Sequence, residues 1–417
     1  MQCIDKTKIN VYAERMMKKI TACMILFSVC FFSCKNSPSV ESVKEDELFS
    51  LSYGRFEDQL NMFDLSDIGN VHTTMTMRDG FFYIANGEAE KIMELNSYGD
   101  LLTLYYNEPE GESETRSMQN TASKRKSIAY PFTDPEAIAV DSKKRMYVVS
   151  TMPKERQEEN EDGTLLYSQI ILRFASDGTS EDYIGQQGIG GTPFPFIKNI
   201  YTTSSDELVV VCITTEGRVV YWFSEAGFLM YQIPILIKDA PKTDDAKAGA
   251  NGISVLQDVI PDCTSRRLFV KVDYYEPRID EDSKTEAGID FIQSCIYPLA
   301  VETGKYGNPI VIPPYEETVS ADYSKLVFRL PYDFLGVSNS GWLFFIISTD
   351  TGFGIEMVQL SGQKVIKRHF DVPHDDILYY VLSLSESGII SALFIEKEKA
   401  RVVWWRTDSL TAAIVRS

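Results

Sequence analysis

Residues 134–150 read DPEAIAVDSKKRMYVVS and, after a charged excursion, residues 168–188 read SQIILRFASDGTSEDYIGQQG. Short apolar runs alternate with polar turns in both stretches, and an Asp-Gly pair separates the last two runs. Such runs are typical of strands joined by tight turns. Four short antiparallel strands cannot bury both faces of their own sheet, so this unit predicts repetition around an axis.

Weaker copies of the unit recur five more times between Asp67 and Asp408. In each copy a Gly, Ser, Asp or Lys turn separates two β-branched or aromatic runs, which is a hairpin signal. The paired runs are VHTTMTMRDGFFYIAN (71–86), PEAIAVDSKKRMYVVS (135–150), KNIYTTSSDELVVVC (198–212), LQDVIPDCTSRRLFVKV (256–272), DFLGVSNSGWLFFII (333–347) and YYVLSLSESGIISALFI (379–395). The chain is therefore predicted to be all-β, a six-bladed β-propeller of four-stranded antiparallel blades.

The last copy predicts how the ring closes. It supplies three strands, and only residues 409–417 follow them. The segment LFSLSYGRFEDQLNMF (48–63) repeats the aromatic-Gly-polar-polar order of EDYIGQQGIGGTPF (181–194). Leu48–Tyr53 is therefore predicted to be the outer strand of the last blade, which protects an edge and joins the two ends of the chain.

A family resemblance rests on the second copy. Residues 135–150, followed by QIILRFASDG (169–178) and YIGQQG (183–188), resemble an NHL repeat. The six-copy arrangement resembles the NHL/TolB-like six-bladed propellers, including a family of spirochaetal lipoproteins. This resemblance covers roughly Leu48 to the C-terminus, and it implies a binding scaffold more often than an enzyme.

The N-terminal region predicts export. Two lysines precede Ile20–Phe32, a largely apolar run of 13 residues. Because a stable span of roughly 30 Å of hydrocarbon needs about 20 residues, this run is predicted to be a signal-peptide core. Ser33 and Cys34 follow it and resemble a lipobox of the looser spirochaetal kind, although Phe31 stands where leucine is usual. An ordinary cleaved signal with a chance cysteine is the alternative.

These features divide the chain. Residues 1–33 are predicted to be the signal peptide, 34–47 a linker lipidated at Cys34, and 48–417 the propeller. Acidic residues precede Met16 and Met17, which is unusual for a positively charged signal, so one of these two methionines is predicted to be the true start.

Charge limits the partners. The formal charge of −19 becomes −22 without residues 1–33, which hold five Lys or Arg against two acids. An anionic surface argues against nucleic acid and against direct adhesion to anionic headgroups. The lipid is therefore expected to hold the protein to a membrane of the bacterial envelope, in the periplasm or at the outer membrane. A monomer is expected.

Three cysteines remain in the predicted propeller, Cys212, Cys263 and Cys295. An odd number excludes a fully paired disulfide framework. Cys263 and Cys295 fall in the same predicted blade and could pair, and at least one thiol is expected to stay buried and free. A catalytic thiol is not expected.

Aligning the copies places one polar residue per blade at the start of the innermost strand, where a propeller converges on its channel. These candidate ligand-binding residues are His72, Glu136, Lys198, Asp258, Asp333 and Tyr380. Acids that converge raise one another's pKa and can bind a cation or a small polar ligand. Because Lys198 would oppose a cation, no cofactor is expected, and a channel ion such as calcium is the alternative.

Two functions of different class remain. The first is a membrane-anchored scaffold that binds an envelope protein or a small polar ligand through its faces and loops. The second is a metal-dependent hydrolase or lactonase in the central channel. The sequence contains no GxSxG, HExxH, Walker or CxxC motif, so no catalytic residue is predicted. Three charged stretches, 108–127, 154–162 and 276–288, are predicted to be solvated loops.

Overall fold

Six sheets of four or five mainly antiparallel strands are arranged as a six-bladed β-propeller in the computed structural model, which confirms the predicted fold class. The described residues are 40–62, 71–108, 125–152, 157–159, 165–166, 168–185, 191–242, 252–280, 285–321, 324–361, 364–373 and 375–415. No helix in these ranges is long and apolar enough to cross a bilayer.

The strands of the first three blades follow one another along the chain and run from the central axis outward. Blade 6 takes its outer strand from the N-terminal side, β1 (Asp46–Ser52). Blade 1 contains β2 (Thr73–Arg78), β3 (Phe81–Asn86), β4 (Lys91–Leu95), β5 (Leu101–Tyr106) and the parallel β6 (Lys126–Ala129). Blade 2 contains β7 (Ile138–Val140) and β8 (Met146–Thr151), then, after the hairpin of β9 (Glu158–Glu159) and β10 (Leu165–Leu166), β11 (Gln169–Phe174) and β12 (Ser180–Ile184). Blade 3 contains β13 (Phe196–Thr202), β14 (Leu208–Thr214), β15 (Gly217–Phe223) and β16 (Leu229–Leu236).

The other three blades complete the ring. Blade 4 contains β17 (Ile253–Pro261), β18 (Arg267–Ile279), β19 (Glu286–Ala300), β20 (Lys305–Tyr306) and β21 (Ile310–Ile312). A hairpin of β22 (Tyr315–Ala321) and β23 (Ser324–Leu330) precedes blade 5, which contains β24 (Asp333–Val337), β25 (Trp342–Thr349), β26 (Gly352–Gln359) and β27 (Val365–Asp371). Blade 6 contains β28 (Ile377–Leu384), β29 (Ile390–Glu396) and β30 (Lys399–Trp405), and helix α1 (Thr407–Val415) follows.

The predicted closure of the ring is confirmed. Strand β1 pairs antiparallel with β30, and Ser50 lies opposite Arg401. Arg401 Nη1 also donates to Glu45 Oε1 at 2.5 Å. Phe49 packs edge-to-face on Phe82 of blade 1, with 5.6 Å between the ring centroids. The strand that completes blade 6 therefore also joins it to blade 1.

Apolar residues of neighbouring blades form six clusters in the described part of the chain. Trp222 packs between blades 3 and 4, whereas Trp342 and Trp405 pack between blades 5 and 6. Trp405 stacks on Phe370 with 4.3 Å between centroids. Each blade thus buries both of its faces against its neighbours, which is why the repeat requires a closed ring.

All three predicted loops contain strand residues, since β6 starts at Lys126 within 108–127 and β9 lies within 154–162. Within 276–288, β18 continues to Ile279 and β19 starts again at Glu286. Arg278 forms an ion pair with Asp290 across this hairpin. The charges that suggested a solvated loop are compatible with an exposed hairpin, because opposite charges pair across its strands. The hairpin β22–β23 and helix α1 were not predicted.

The suggested pairing of Cys263 with Cys295 is wrong, because both thiols are free and buried, as is Cys212. Cys295 lies in the cluster between blades 3 and 4. Cys263 instead places its sulfur 4.0 Å from the carbonyl oxygen of Val337 in blade 5. Burial raises the pKa of Cys295 to about 11 and that of Cys263 to about 12, so both are weak nucleophiles at neutral pH.

Candidate functional site

The innermost strands of all six blades surround a central channel. A cavity of about 120 Å³ lies between the second halves of these strands. Beside it, Arg78 Nη1 lies 2.5 Å from Glu386 Oε1, so an ion pair joins blades 1 and 6 at this end. The other end, where the innermost strands begin, is here called the mouth.

Three side chains of blades 1 and 2 meet at the mouth. His72 directly precedes β2, and its Nδ1 lies 2.8 Å from Oδ1 of Asp134 and 3.8 Å from Oε1 of Glu136. One ligand atom from each of the three residues lies within 4.8 Å of the others. All three side chains are half-buried, so the group is open to a ligand from the channel.

A turn after β3 fixes the position of His72. Gly87 donates its backbone N–H to the His72 carbonyl at 3.0 Å, and the His72 N–H donates to Glu88 Oε1 at 2.7 Å. A Cβ atom at Gly87 would lie 2.6 Å from His72 Cβ and 3.0 Å from Asp134 Oδ1. Only glycine therefore fits at this position without displacing the group.

Gln169 orients Glu136. Its Nε2 donates to Glu136 Oε2 at 3.0 Å, and its Oε1 accepts the N–H of Ile197 at 2.6 Å. Burial raises the pKa of Glu136, and the neighbouring Asp134 raises it further, whereas His72 and Gln169 lower it. One amide side chain thus connects the carboxylate of blade 2 with the innermost strand of blade 3.

Blades 3, 4 and 5 supply a second charged group. Lys198 Nζ donates to Asp258 Oδ1 at 2.9 Å. Loss of hydration raises the pKa of Asp333, while the electrostatic effect of Lys271 lowers it. Asp273 and Asp258 raise this pKa further, and Lys198 lowers it. The other four residues therefore lie within electrostatic reach of Asp333.

A buried ion pair supports this second group. Lys271 Nζ lies 2.6 Å from Asp273 Oδ1, and both side chains are almost completely buried. Ser294 also donates to Asp273 Oδ1, at 2.5 Å. Because a buried charge without its partner is costly, the pair is expected to keep this part of blade 4 fixed.

Tyr380 completes the set. Its ring lies edge-to-face on Phe353 at 5.1 Å, and burial raises its pKa, with a further rise from Asp333. The adjacent Tyr379 donates its hydroxyl to the Thr73 carbonyl at 3.4 Å, next to His72. Contacts and electrostatic effects of the predicted mouth residues, or of residues next to them, thus connect all six blades around the channel.

Irregular strand pairing orients several of these side chains. The register of the innermost strand shifts between Ile197 and Asn199, between Leu256 and Asp258, and between Ile377 and Tyr379. A bulge bends its strand and redirects the adjacent side chains. Lys198, Asp258 and Tyr380 lie at or beside these bulges. The mouth is therefore built by a repeated local departure from regular pairing.

Sequence reasoning missed several contributors. Asp134 stands two residues before Glu136, and it has φ +50, in the left-handed region. Lys271 and Asp273 interrupt the apolar run LFVKVDYY (268–275), where charged residues in the predicted second strand of a blade were a usable signal. Cys34, the predicted lipidation site, lies outside the described residues.

The donor set indicates which ion would fit. His72 offers an imidazole nitrogen beside the carboxylates of Asp134 and Glu136. Calcium prefers oxygen ligands alone, whereas zinc and manganese accept mixed nitrogen and carboxylate sets. The group therefore suits a transition-metal ion better than the calcium considered from the sequence.

Comparisons with known proteins find only weak structural similarity. No protein-family model and no curated protein match the chain. A gluconolactonase from Xanthomonas campestris has TM-score 0.40 and 11% identity, over 89% of this chain and 98% of that one. A polysaccharide lyase has TM-score 0.39 and 7% identity, over 88% and 99%. Regucalcin, a calcium-binding protein from Agrobacterium tumefaciens, has TM-score 0.39 and 9% identity, over 88% and 95%. At such low similarity the function has to be argued from the site itself.

Proposed function

We propose that this protein is a membrane-tethered β-propeller of the bacterial cell envelope that binds its ligand, a small polar compound or part of an envelope protein, at the channel mouth. The observation that carries this proposal is the continuous set of interactions at the mouth. It begins at His72 with Glu136 and passes through Gln169 to the backbone of Ile197, next to Lys198. It continues from Lys198 to Asp258, and electrostatic effects extend it to Asp333 and Tyr380.

Incomplete charge compensation supports binding at this site. Among the described residues, Asp134 and Glu136 share the single imidazole of His72, Asp258 pairs with Lys198, and Asp333 is influenced by Lys271 and Lys198 without forming an ion pair. Polar groups that converge in a concave site and have perturbed pKa values are typical of binding sites. At the far end, Arg78 forms an ion pair with Glu386, so this acid is compensated.

The location in the envelope rests on the N-terminal residues. The lysine pair, the short apolar run and Cys34 support an acylated anchor, and the resemblance to spirochaetal lipoproteins agrees with it. Replacing Cys34 by alanine is expected to abolish metabolic labelling with palmitate and to leave the protein unprocessed or released. Labelling that survives Cys34→Ala would contradict the anchor.

A thermal-shift screen tests the binding site. Full-length protein is mixed with amines, amino acids, sugars and carboxylic acids, and a ligand of the folded state should raise the melting temperature by linkage. Glu136→Gln should remove this rise, whereas Glu302→Gln, at an exposed acid of blade 4, should preserve it. A rise that persists in Glu136→Gln would place the ligand elsewhere and contradict the proposal.

A second candidate function is a metal-dependent hydrolase or lactonase. The specific observation in its favour is the group of His72, Asp134 and Glu136 within 4.8 Å. A divalent ion held there would lower the pKa of a bound water and polarise a substrate carbonyl. Stoichiometric metal in the purified protein, together with lactone hydrolysis that Asp134→Asn abolishes, would favour this function over a scaffold. If the purified protein contains no stoichiometric metal and hydrolyses no lactone, the binding scaffold remains the proposed function.

A further inference from the structure

Apolar side chains are exposed where the innermost strands approach the mouth. Phe196 is 62% exposed at the start of β13, and Leu378 is 57% exposed near the start of β28. The full set, here called the apolar rim, precedes the polar mouth residue in five of the six blades and contains Val71, Phe196, Ile253, Val255, Leu330 and Leu378. Exposed apolar residues gathered around one opening are typical of an interaction site.

Blade 4 adds an open strand edge to the rim. Strand β17 begins at Ile253, five residues before Asp258, so its first half extends beyond the mouth. On one side it pairs with β18, where Ile253 lies opposite Tyr275. No strand of the described residues pairs with its other side. An uncovered edge of this kind can accept another strand.

This edge is rigidly supported. Strands β18 and β19 extend together with β17, and their pairing continues to Ile279 and Glu286. At the end of this edge nearest the mouth, the Gln257 carbonyl already accepts a hydrogen bond of 3.4 Å from Arg218 Nη2. The part that remains for a partner strand is therefore Ile253–Leu256, directly beside the apolar rim.

The mouth next to this edge favours a cation. The carboxylates of Asp134 and Glu136 lie beside His72, and Asp258 and Asp333 lie on the side of blade 4. Lys198 contacts Asp258, while Lys271 is buried with Asp273 and compensates that acid. Asp134 and Glu136 are like charges beside a single imidazole, and Asp258 is near enough to Asp333 to act on it electrostatically. A positive group in the mouth would relieve this repulsion.

We infer that the mouth binds an extended peptide segment of a partner protein in which a lysine or arginine is flanked by apolar residues. The segment would pair with the open edge of Ile253–Leu256, place its apolar side chains on the rim and its cationic side chain among the carboxylates. Strand addition of this kind takes affinity from main-chain hydrogen bonds and specificity from alternate side chains. A free metal ion or a small amine would interact only with the carboxylates and would leave the strand edge and the apolar rim unoccupied.

Synthetic heptapeptide libraries test this inference, which rests on the proposed function. The first library has a central lysine with apolar residues two positions to either side. A second has norleucine in place of lysine, and a third has the lysine and N-methyl groups at alternate amides. Retention on immobilised full-length protein is expected to be at least 10-fold higher for the first library than for either control, because one control lacks the charge and the other cannot complete the strand pairing.

Protein variants locate the bound peptide. Glu136→Gln combined with Asp333→Asn should reduce retention of the lysine library to the level of the norleucine library, whereas Glu302→Gln should leave it unchanged. Equal retention of the three libraries, or none, would overturn the inference. If no library is retained while a small polar compound still raises the melting temperature through Glu136, only this inference fails. If both are negative, the proposed function fails as well.

Discussion

The Nδ1 atom of His72 lies 2.8 Å from Oδ1 of Asp134, so a ring nitrogen of blade 1 contacts a carboxylate at the entrance to blade 2. Asp134 reaches this position with φ +50, a left-handed conformation that costs an ordinary residue about 1–2 kcal/mol. Backbone strain that persists in a folded protein is often found at functional sites. The contact therefore joins two blades and places a carboxylate in the mouth at the same time.

The variant Asp134→Asn tests separately the contact between blades 1 and 2 and the negative charge at the mouth. Asparagine also tolerates the left-handed region, so the free energy of unfolding is expected to change by less than about 1 kcal/mol. The variant loses the negative charge, and a rise in melting temperature caused by zinc or manganese in the wild-type protein should fall at least by half. Differential scanning fluorimetry with and without each ion measures both quantities.

Glu302→Gln is the control for that experiment, because Glu302 is an exposed acid of blade 4. Its response to zinc and manganese should equal that of the wild-type protein. An ion-induced rise of the same size in Asp134→Asn and in the wild type would show that Asp134 does not contribute to an ion site.

Gly87→Ala tests the packing behind His72. The new Cβ would lie 2.6 Å from His72 Cβ and 2.8 Å from the His72 carbonyl oxygen. Because backbone cannot yield as readily as a flexible side chain, we expect a loss of about 1–3 kcal/mol in the free energy of unfolding. Displacement of His72 should also weaken ligand binding at the mouth. Urea denaturation measures the first effect and the thermal-shift screen the second.

A suitable control for that substitution is Gly307→Ala, since the nearest atom to its Cβ would be 3.5 Å away, an ordinary contact. Unchanged ligand binding in Gly87→Ala, together with unchanged stability, would mean that the region around His72 can adapt and that the turn does not fix the site.

The fold was predictable because the sequence pattern of each hairpin lies within a short segment of the chain. Each blade repeats a short apolar run, a polar turn and another apolar run, and periodicity with turn chemistry identifies such hairpins. The closing strand was predictable for a related reason, since the last copy lacked its outer strand and residues 48–63 repeat the order of residues that ends the second copy. Insertions such as β22–β23 escaped prediction because they belong to no copy.

The site was predictable only in part. One residue per blade could be placed at the mouth, because innermost strands converge in every propeller. Asp134 could not be placed, because its contact with His72 depends on how blades 1 and 2 pack together. The same is true of Gln169, which reaches Glu136 from the third strand of its blade. Such contacts depend on tertiary packing, so the residues that make them have no fixed spacing in the sequence from which they could be identified.

Phe49→Ala tests the closure of the ring. Phe49 is 8% exposed and packs on Phe82 across the boundary between blades 6 and 1. Removing a buried phenyl ring typically costs about 3–5 kcal/mol, so the melting temperature should fall by several degrees. Phe56→Ala, at a position that is 75% exposed, should change the stability by less than about 0.5 kcal/mol.

Truncation gives an independent test of the same strand. Removing residues through Ser52 would leave β30 with an open edge, and aggregation is expected. Removing residues through Ser39 keeps every contact described for Ser42, Val43 and Glu45. Equal melting temperatures and equal solubility of the two truncated proteins would contradict the role assigned to β1.

Glu356 predicts a pH dependence of stability. It is completely buried on β26, and Lys367 Nζ lies 3.1 Å from its Oε2. Burial raises the pKa of Glu356 from 4.5 to about 7, although Lys367 lowers it. Between these two pH values the unfolded chain has released this proton and the folded protein still holds it. Stability contributed by this group therefore decreases as pH rises from about 4.5 to about 7, by roughly 3 kcal/mol in all.

Glu356→Gln removes this titration and keeps the size of the side chain. The melting temperature of the variant, relative to that of the wild-type protein, should therefore increase steadily between pH 5 and pH 8, because only the wild type must ionise a buried carboxyl group. Glu398→Gln, at an exposed acid of blade 6, should give a difference that is independent of pH. Parallel curves for Glu356→Gln and the wild type would mean that Glu356 titrates alike in the folded and unfolded states, and that burial beside Lys367 does not retain its proton.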